Sequence, residues 1–307
     1  MPLDPALDAL IKQVAAVPTP ATPLTLAEQR AERRQLALAV APSPPLAVGS
    51  VRDDTLAGVP VRIYSPQATS PMPTVVYFHG GAFVYGDLDL CDQICRRLCR
   101  DVRAVVVSAD YQLAPEHLYP AAHDDCLAVT RWVAEHIADY GGGNLAVAGD
   151  SVGANLAASV ALCCRDEGVP LAAQLLAYPS VDLSGHTHYP SQSIDITGNL
   201  MSPTEAAECA EVYLSSDPTA GDRAPASPLL AEDFTGLAPA VIGTAEFDPV
   251  RDECLAYADT LTAAGVPVIT HVYPGLIHGF LSLSTISPAA DKATAEVYAE
   301  LAALLAA

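Results

Sequence analysis

Asn144-Leu145-Ala146-Val147-Ala148-Gly149-Asp150-Ser151-Val152-Gly153-Ala154-Asn155 reads, from spacing alone, as a strand, a sharp turn and the start of a helix. Leu145 to Ala148 is a short apolar run bounded by glycines, and beyond Ala154 the residues Leu156, Ala157, Val160, Ala161 and Leu162 recur at helical spacing. The turn Gly149-Asp150-Ser151-Val152-Gly153 fits G-x-S-x-G, which holds a serine at the tip of a strained strand-to-helix bend flanked by glycines because larger side chains would clash. The helix beginning beside Ser151 offers unpaired backbone N–H groups and a positive dipole end where an oxyanion would develop. An ordinary tight turn or a phosphate-binding loop is the alternative. The dinucleotide form G-x-G-x-x-G is absent, since Ser151 stands at its second glycine.

Working outward, a 307-residue chain with 51% hydrophobic residues can bury a large core, and one catalytic domain with insertions is expected. The formal charge of -21 reflects scarce bases, Lys12 and Lys292 being the only lysines, with charged residues at 17% overall. A pI near 4.4 repels phosphate backbones and anionic lipid. No nucleic-acid partner and no membrane docking are therefore expected. Met1-Pro2-Leu3-Asp4-Pro5 lacks a basic leader region and no apolar run reaches spanning length, so the chain reads as soluble and cytoplasmic. Cys91, Cys95 and Cys99 repeat at every fourth residue, and the eight cysteines read as small buried hydrophobes in a reducing compartment rather than metal or redox groups.

Asp4 with Pro5 opens a first helix, and Thr25-Leu26-Ala27-Glu28 has the capping-box pattern of a second that runs to Val40. Both are expected to pack by apolar faces. From Val48 the pattern turns to period two, an opening antiparallel pair. Thr74 to Phe78 is a continuous apolar strand that runs into His79-Gly80-Gly81-Ala82-Phe83-Val84-Tyr85-Gly86, where glycines let backbone N–H groups point into a cleft. His79 at a strand end also suits fixing a loop by hydrogen bonding. A helix over 88–102, a strand over 104–109 and a helix over 121–140 then alternate up to the elbow, which predicts a parallel sheet. Residues 171–178, 239–245 and 267–273 continue it, and 289–305 form a closing helix. The segment 181–226 lacks sheet periodicity, apart from one helix opening at Ser202, and reads as a lid or binding insertion. His186 and His188 within it have no clear third ligand, so a solvated loop is expected there.

His79-Gly80-Gly81-Ala82, Tyr111-Gln112-Leu113-Ala114-Pro115-Glu116 and Gly149-Asp150-Ser151-Val152-Gly153, in this order, resemble the bacterial hormone-sensitive lipase-like esterases. The resemblance implies an α/β-hydrolase fold, a mostly parallel sheet flanked by helices with a helical cap. It implies cap segments over 1–45 and 181–226 and a catalytic domain over 46–180 and 227–307. Ala82 stands where the family usually has a third glycine, and Val152 and Ala154 around Gly153 where it has alanine and glycine, which bears on substrate size and acyl-chain length more than on the reaction.

A serine hydroxyl needs a base to take its proton, and the base needs a carboxylate to hold its tautomer. In such folds the order is serine, acid, histidine, from loops after successive strands. Asp248 and His278 each follow a late strand directly and match the family's Asp-Pro and His-Gly-Phe motifs. The rival acids are Asp252, four residues on and inside a helix, and Glu246, still in the strand. The expected site is thus Ser151, Asp248 and His278, with N–H donors from Gly80, Gly81 and Val152 and a pocket lined by Ala82, Phe83 and Tyr85. The expected substrate is a small ester with a short acyl chain, without metal or organic cofactor, and homo-oligomerisation is left open. Amidase, lactonase, thioesterase or carbamate hydrolase activity could use the same groups, and a hydrolase-fold binding protein is the non-enzymatic alternative.

Overall fold

Long apolar runs such as Val75 to Phe78 and Val105 to Val107 have no polar face to turn to water, so they must be covered on both sides. The computed structural model describes residues 2–16, 24–67, 71–194 and 202–306. Among these, one sheet carries β1 (Ser50–Leu56), β2 (Val59–Ser65), β3 (Met72–Phe78), β4 (Val105–Ala109), β5 (Gly142–Asp150), β6 (Ala173–Ala177), β7 (Ala240–Phe247) and β8 (Val268–Ile277). The order is β1-β2-β4-β3-β5-β6-β7-β8, with β2 antiparallel to both neighbours and the rest parallel.

The helices are α1 (Pro5–Ala15), α2 (Leu26–Val40), α3 (Asp92–Val102), α4 (Ala121–Glu135), α5 (Ile137–Tyr140), α6 (Val152–Glu167), α7 (Pro203–Tyr213), α8 (Arg251–Ala263) and α9 (Pro288–Ala306). Strand alternation sends Val76, Phe78, Val107 and Val147 into one core with residues of α4, α6 and α8. Val75, Tyr77, Val106 and Ala146 enter the other, with residues of α3 and α9. No helix among the described residues is long and apolar enough to cross a membrane.

Three local departures from the sequence expectation have physical causes. The helix expected over 88–102 starts only at Asp92, because the Asp87 carboxylate accepts the N–H groups of Asp89 and Leu90 and holds a turn there. The helix expected over 121–140 breaks at His136, whose N–H and Nδ1 both approach the Trp132 carbonyl. The third concerns α2. Its capping box forms as expected, with Glu28 receiving the Thr25 N–H at 2.8 Å, but no described side chain of the helix is fully buried. Whereas α1 buries Leu7 and Ile11, α2 packs, of its described side chains, only the partly buried Leu26 against the core and docks chiefly by charge: Arg30 pairs with Glu116, Arg33 with Glu205, and Arg34 with Asp87 and Asp89. Half-exposed pairs of this kind contribute about 1 kcal/mol or less each, so the helix is held by number and geometry rather than by burial.

Candidate active site

Tight packing at the end of β5 creates the elbow. A Cβ on Gly149 would collide with the Gly153 carbonyl, and one on Gly153 with the carbonyl of Phe78, at the end of the neighbouring strand. Between them Ser151 adopts φ 55° and ψ -122°, a strained conformation for a residue with a side chain. Its N–H donates to the Ala177 carbonyl at 2.9 Å, which fixes the bend to β6.

The chain brings Ser151, His278 and Asp248 together from three loops at one sheet edge. His278 Nε2 lies 3.0 Å from Ser151 Oγ, and His278 Nδ1 lies 3.0 Å from both oxygens of Asp248. A carboxylate can only accept, so Nδ1 carries the proton and Nε2 is left to accept from the serine hydroxyl. Asp248 is fully buried, and its Oδ1 also accepts the Val250 N–H at 3.0 Å. Burial pushes the His278 imidazole pKa down, but the facing Asp248 charge and hydrogen bond, with Asp150 further off, raise it above the ordinary 6.5. Tyr178 meets the imidazole edge-on at 4.8 Å between centroids. Asp252, the rival acid, faces elsewhere: it accepts the Ser191 N–H at 2.8 Å and pairs with Arg251. Glu246 receives the Gly275 N–H at 2.8 Å.

Beside Ser151, the loop after β3 turns tightly, the Gly81 carbonyl accepting from Val84 N at 3.0 Å and Tyr85 N at 2.7 Å. Gly80, expected from the sequence as an oxyanion donor, instead gives its N–H to Asp150 Oδ1 at 2.8 Å, and the same oxygen receives the Tyr77 hydroxyl at 2.5 Å. Among the described residues, no acceptor is bonded to the N–H of Gly81, Ala82 or Val152. Ala82 sits at φ 53° and Phe83 at φ 63°. The positive φ explains why a glycine would be comfortable where Ala82 stands.

Of the expected pocket residues, Ala82, Phe83 and Tyr85 are all buried. Phe83 is covered by Tyr213 of α7, stacked at 3.9 Å and 5°. Tyr85 borders a cleft of about 610 Å³ between α2 and α7, together with Val84, Glu32, Glu205 and Glu208. Its hydroxyl donates to Gln29 Oε1 at 2.6 Å, and Arg33 lies 4.3 Å over its ring. His79 takes the loop-fixing role: Nδ1 is 2.8 Å from the Gly80 carbonyl, and the ring stacks on Tyr111, whose hydroxyl donates to the His79 carbonyl at 2.6 Å. The sequence reading missed the roles of Tyr77, Tyr111 and Asp150. Asp150 and Tyr111 lie inside quoted motifs, so their positions carried a signal that spacing alone could not interpret. His186 and His188 are exposed, and seven of the eight cysteines are buried.

Comparison with known proteins agrees with this architecture. A family model described as the alpha/beta hydrolase fold matches residues 75–282. The chain is 42% identical to the esterase LipI of Mycobacterium tuberculosis over 82% of this chain and 80% of that one. It is 38% identical to the carboxylesterase NlhH of the same species, over 97% and 95%. The hyperthermophilic esterase from the archaeon Pyrobaculum calidifontis superposes with a TM-score of 0.94 at 35% identity, covering 100% of both chains. With a family model spanning most of the sheet and relatives aligned over nearly the full length, this chain belongs to the bacterial hormone-sensitive lipase-like esterase family of the α/β-hydrolase fold.

Proposed function

We propose that the protein is a serine carboxylesterase in which Ser151 is the nucleophile, His278 the general base and acid, and Asp248 the orienting acid. One observation carries this reading: an unbroken chain of 3.0 Å hydrogen bonds from Ser151 Oγ through His278 to a buried carboxylate. In the reaction Ser151 Oγ attacks the ester carbonyl as His278 Nε2 takes its proton. The tetrahedral oxyanion is held by N–H groups of Gly81, Ala82 and Val152, the last at the positive end of α6. Ala82 replaces Gly80 in this donor set because the Gly80 N–H is committed to Asp150. The alcohol leaves with the His278 proton, and water, deprotonated by the same nitrogen, releases the acid from the acyl-enzyme. A burst of nitrophenol from a nitrophenyl ester, lost in Ser151→Ala, tests the assignment; a burst that survives the substitution overturns it.

The pH profile supplies a second test. Only the neutral imidazole accepts the serine proton, so activity falls as pH drops through the His278 pKa. That group is raised above 6.5, so the acidic limb of kcat/KM should have its midpoint above 6.5. A midpoint below 6.5, or a flat profile between pH 5 and 8, would contradict a histidine base paired with Asp248.

For the substrate we favour soluble esters with short acyl chains, with residues 1–45 and 181–226 acting as the cap. Supporting this, Ala82 and Val152, both buried, add side-chain bulk beside the proposed oxyanion donors and narrow the space left for an acyl chain. Butyrate esters should accordingly be turned over faster than emulsified long-chain triglycerides, measured by acid release at fixed enzyme. The reverse order would refute the short-chain reading while leaving the triad standing.

A further inference from the structure

The guanidinium of Arg30, on α2, makes four hydrogen bonds, and two of them end on the backbone next to the site. Nε donates to the Val84 carbonyl at 2.8 Å and Nη2 to the Ala114 carbonyl at 2.8 Å. Nη1 and Nη2 also bind Glu116 Oε1 and Oε2, at 2.8 Å and 2.9 Å. The Val84 carbonyl shares a peptide plane with the Tyr85 N–H, which donates to the Gly81 carbonyl at 2.7 Å. The Gly81 carbonyl in turn shares a plane with the Ala82 N–H. On the other branch, Ala114 receives Arg30 at its carbonyl and gives its own N–H to the Phe83 carbonyl at 2.9 Å. The residues between these anchors, Ala82 and Phe83, both hold positive φ, so the turn relies on its surroundings to stay in place.

The geometry points to Arg30 as a positioning residue for the oxyanion loop: it fixes the peptide plane of Val84 and Tyr85, and through Gly81 the direction of the Ala82 N–H. The inference rests on the proposed role of Ala82 as an oxyanion donor. A planar, charged fork suits the task because it spans two carbonyls and a carboxylate at once, which a lysine ammonium on its single point of charge does not. The Glu116 carboxylate, more than half exposed, takes up the remaining N–H groups of the fork, and the two carbonyls alone set its direction. The remaining ties of α2, from Arg33 to Glu205 and from Arg34 to Asp87 and Asp89, do not involve Arg30, so the helix stays docked when Arg30 is changed.

The test compares Arg30→Lys and Glu116→Gln on nitrophenyl butyrate, counting turnover per serine titrated with a stoichiometric phosphonate so that lost folded protein cannot imitate a slower enzyme, and Ser151→Ala on the same ester, counted per mole of folded protein. Arg30→Lys should lower kcat about tenfold, part of the hundredfold or more that loss of a whole oxyanion donor costs, with KM within about twofold. Affinity for a trifluoromethyl ketone, which places a negative oxygen in the hole, should fall by the same factor. Glu116→Gln keeps both carbonyl bonds and should hold kcat within about twofold. An unchanged kcat in Arg30→Lys, a rise confined to KM, or an equal fall in Glu116→Gln would overturn the role of Arg30. Retained turnover in Ser151→Ala would instead remove the nucleophile assignment beneath it, so the two failures are told apart.

Discussion

Asp248→Asn is expected to lower kcat by about 10⁴-fold while leaving the folded structure and KM nearly unchanged. The reason is tautomeric. Asp248 accepts at both oxygens: one also receives the Val250 N–H, and both face His278 Nδ1. An asparagine keeps the Val250 bond only by turning its amide NH₂ toward the imidazole, where a second donor cannot be tolerated. The ring then protonates at Nε2, facing Ser151 with a donor where an acceptor is required. Asp252→Asn should cost far less, because its carboxylate serves Ser191 and Arg251 away from the imidazole. The same pair of variants separates the acids by pH: in Asp248→Asn the acidic limb should also move down, since the charge that raises His278 has gone. Steady-state kinetics on both variants decide the matter, and a larger loss in Asp252→Asn would reverse the assignment.

The residues that were legible in the sequence share a physical property. Their structure is set by neighbours within a turn or a strand. The Leu145 to Ala148 run becomes the inner part of β5, the helical spacing after Ala154 becomes α6, and Asp4, Thr25 and Ser202 cap the helices that follow them. Asp248 and His278 stood out because each follows a strand at the end from which a parallel sheet presents its loops. What could not be read depends on register and on distant charge. The Gly80 N–H meets Asp150 because β3 pairs with β5 so that Phe78 lies opposite Gly149, and the pairing of strands some seventy residues apart leaves no local trace. Arg30, Arg33 and Arg34 look like the solvated face of a helix. Their partners, Glu116, Glu205, Asp87 and Asp89, lie in three separate segments, so an apolar face was expected where the protein uses ion pairs.

Gly153→Ala should be the most disruptive single-methyl change in the elbow. A methyl at this position would enter the van der Waals space of the Phe78 carbonyl oxygen and come within 2.5 Å of the His79 carbonyl oxygen. Both are backbone atoms at the end of a central strand. Relief therefore requires α6 to move away from β3, taking the Val152 N–H with it. Overpacking of a well-filled site costs about 1–3 kcal/mol and more when only backbone can yield, so a loss above about 3 kcal/mol is expected, roughly 5 °C in Tm for a chain of this length. Turnover should fall with it, because the displaced N–H no longer points where the oxyanion forms. Gly168→Ala is the control. That glycine has φ +73° but nothing within 4 Å of a new methyl, so it isolates the cost of backbone strain, about 1 kcal/mol, from the cost of lost space. Thermal melts and kcat for the two variants distinguish the effects. If Gly153→Ala melts and turns over like Gly168→Ala, the close approach of helix to strand is not what sets the elbow, and the position of Ser151 must be held from the β6 side through its bond to Ala177.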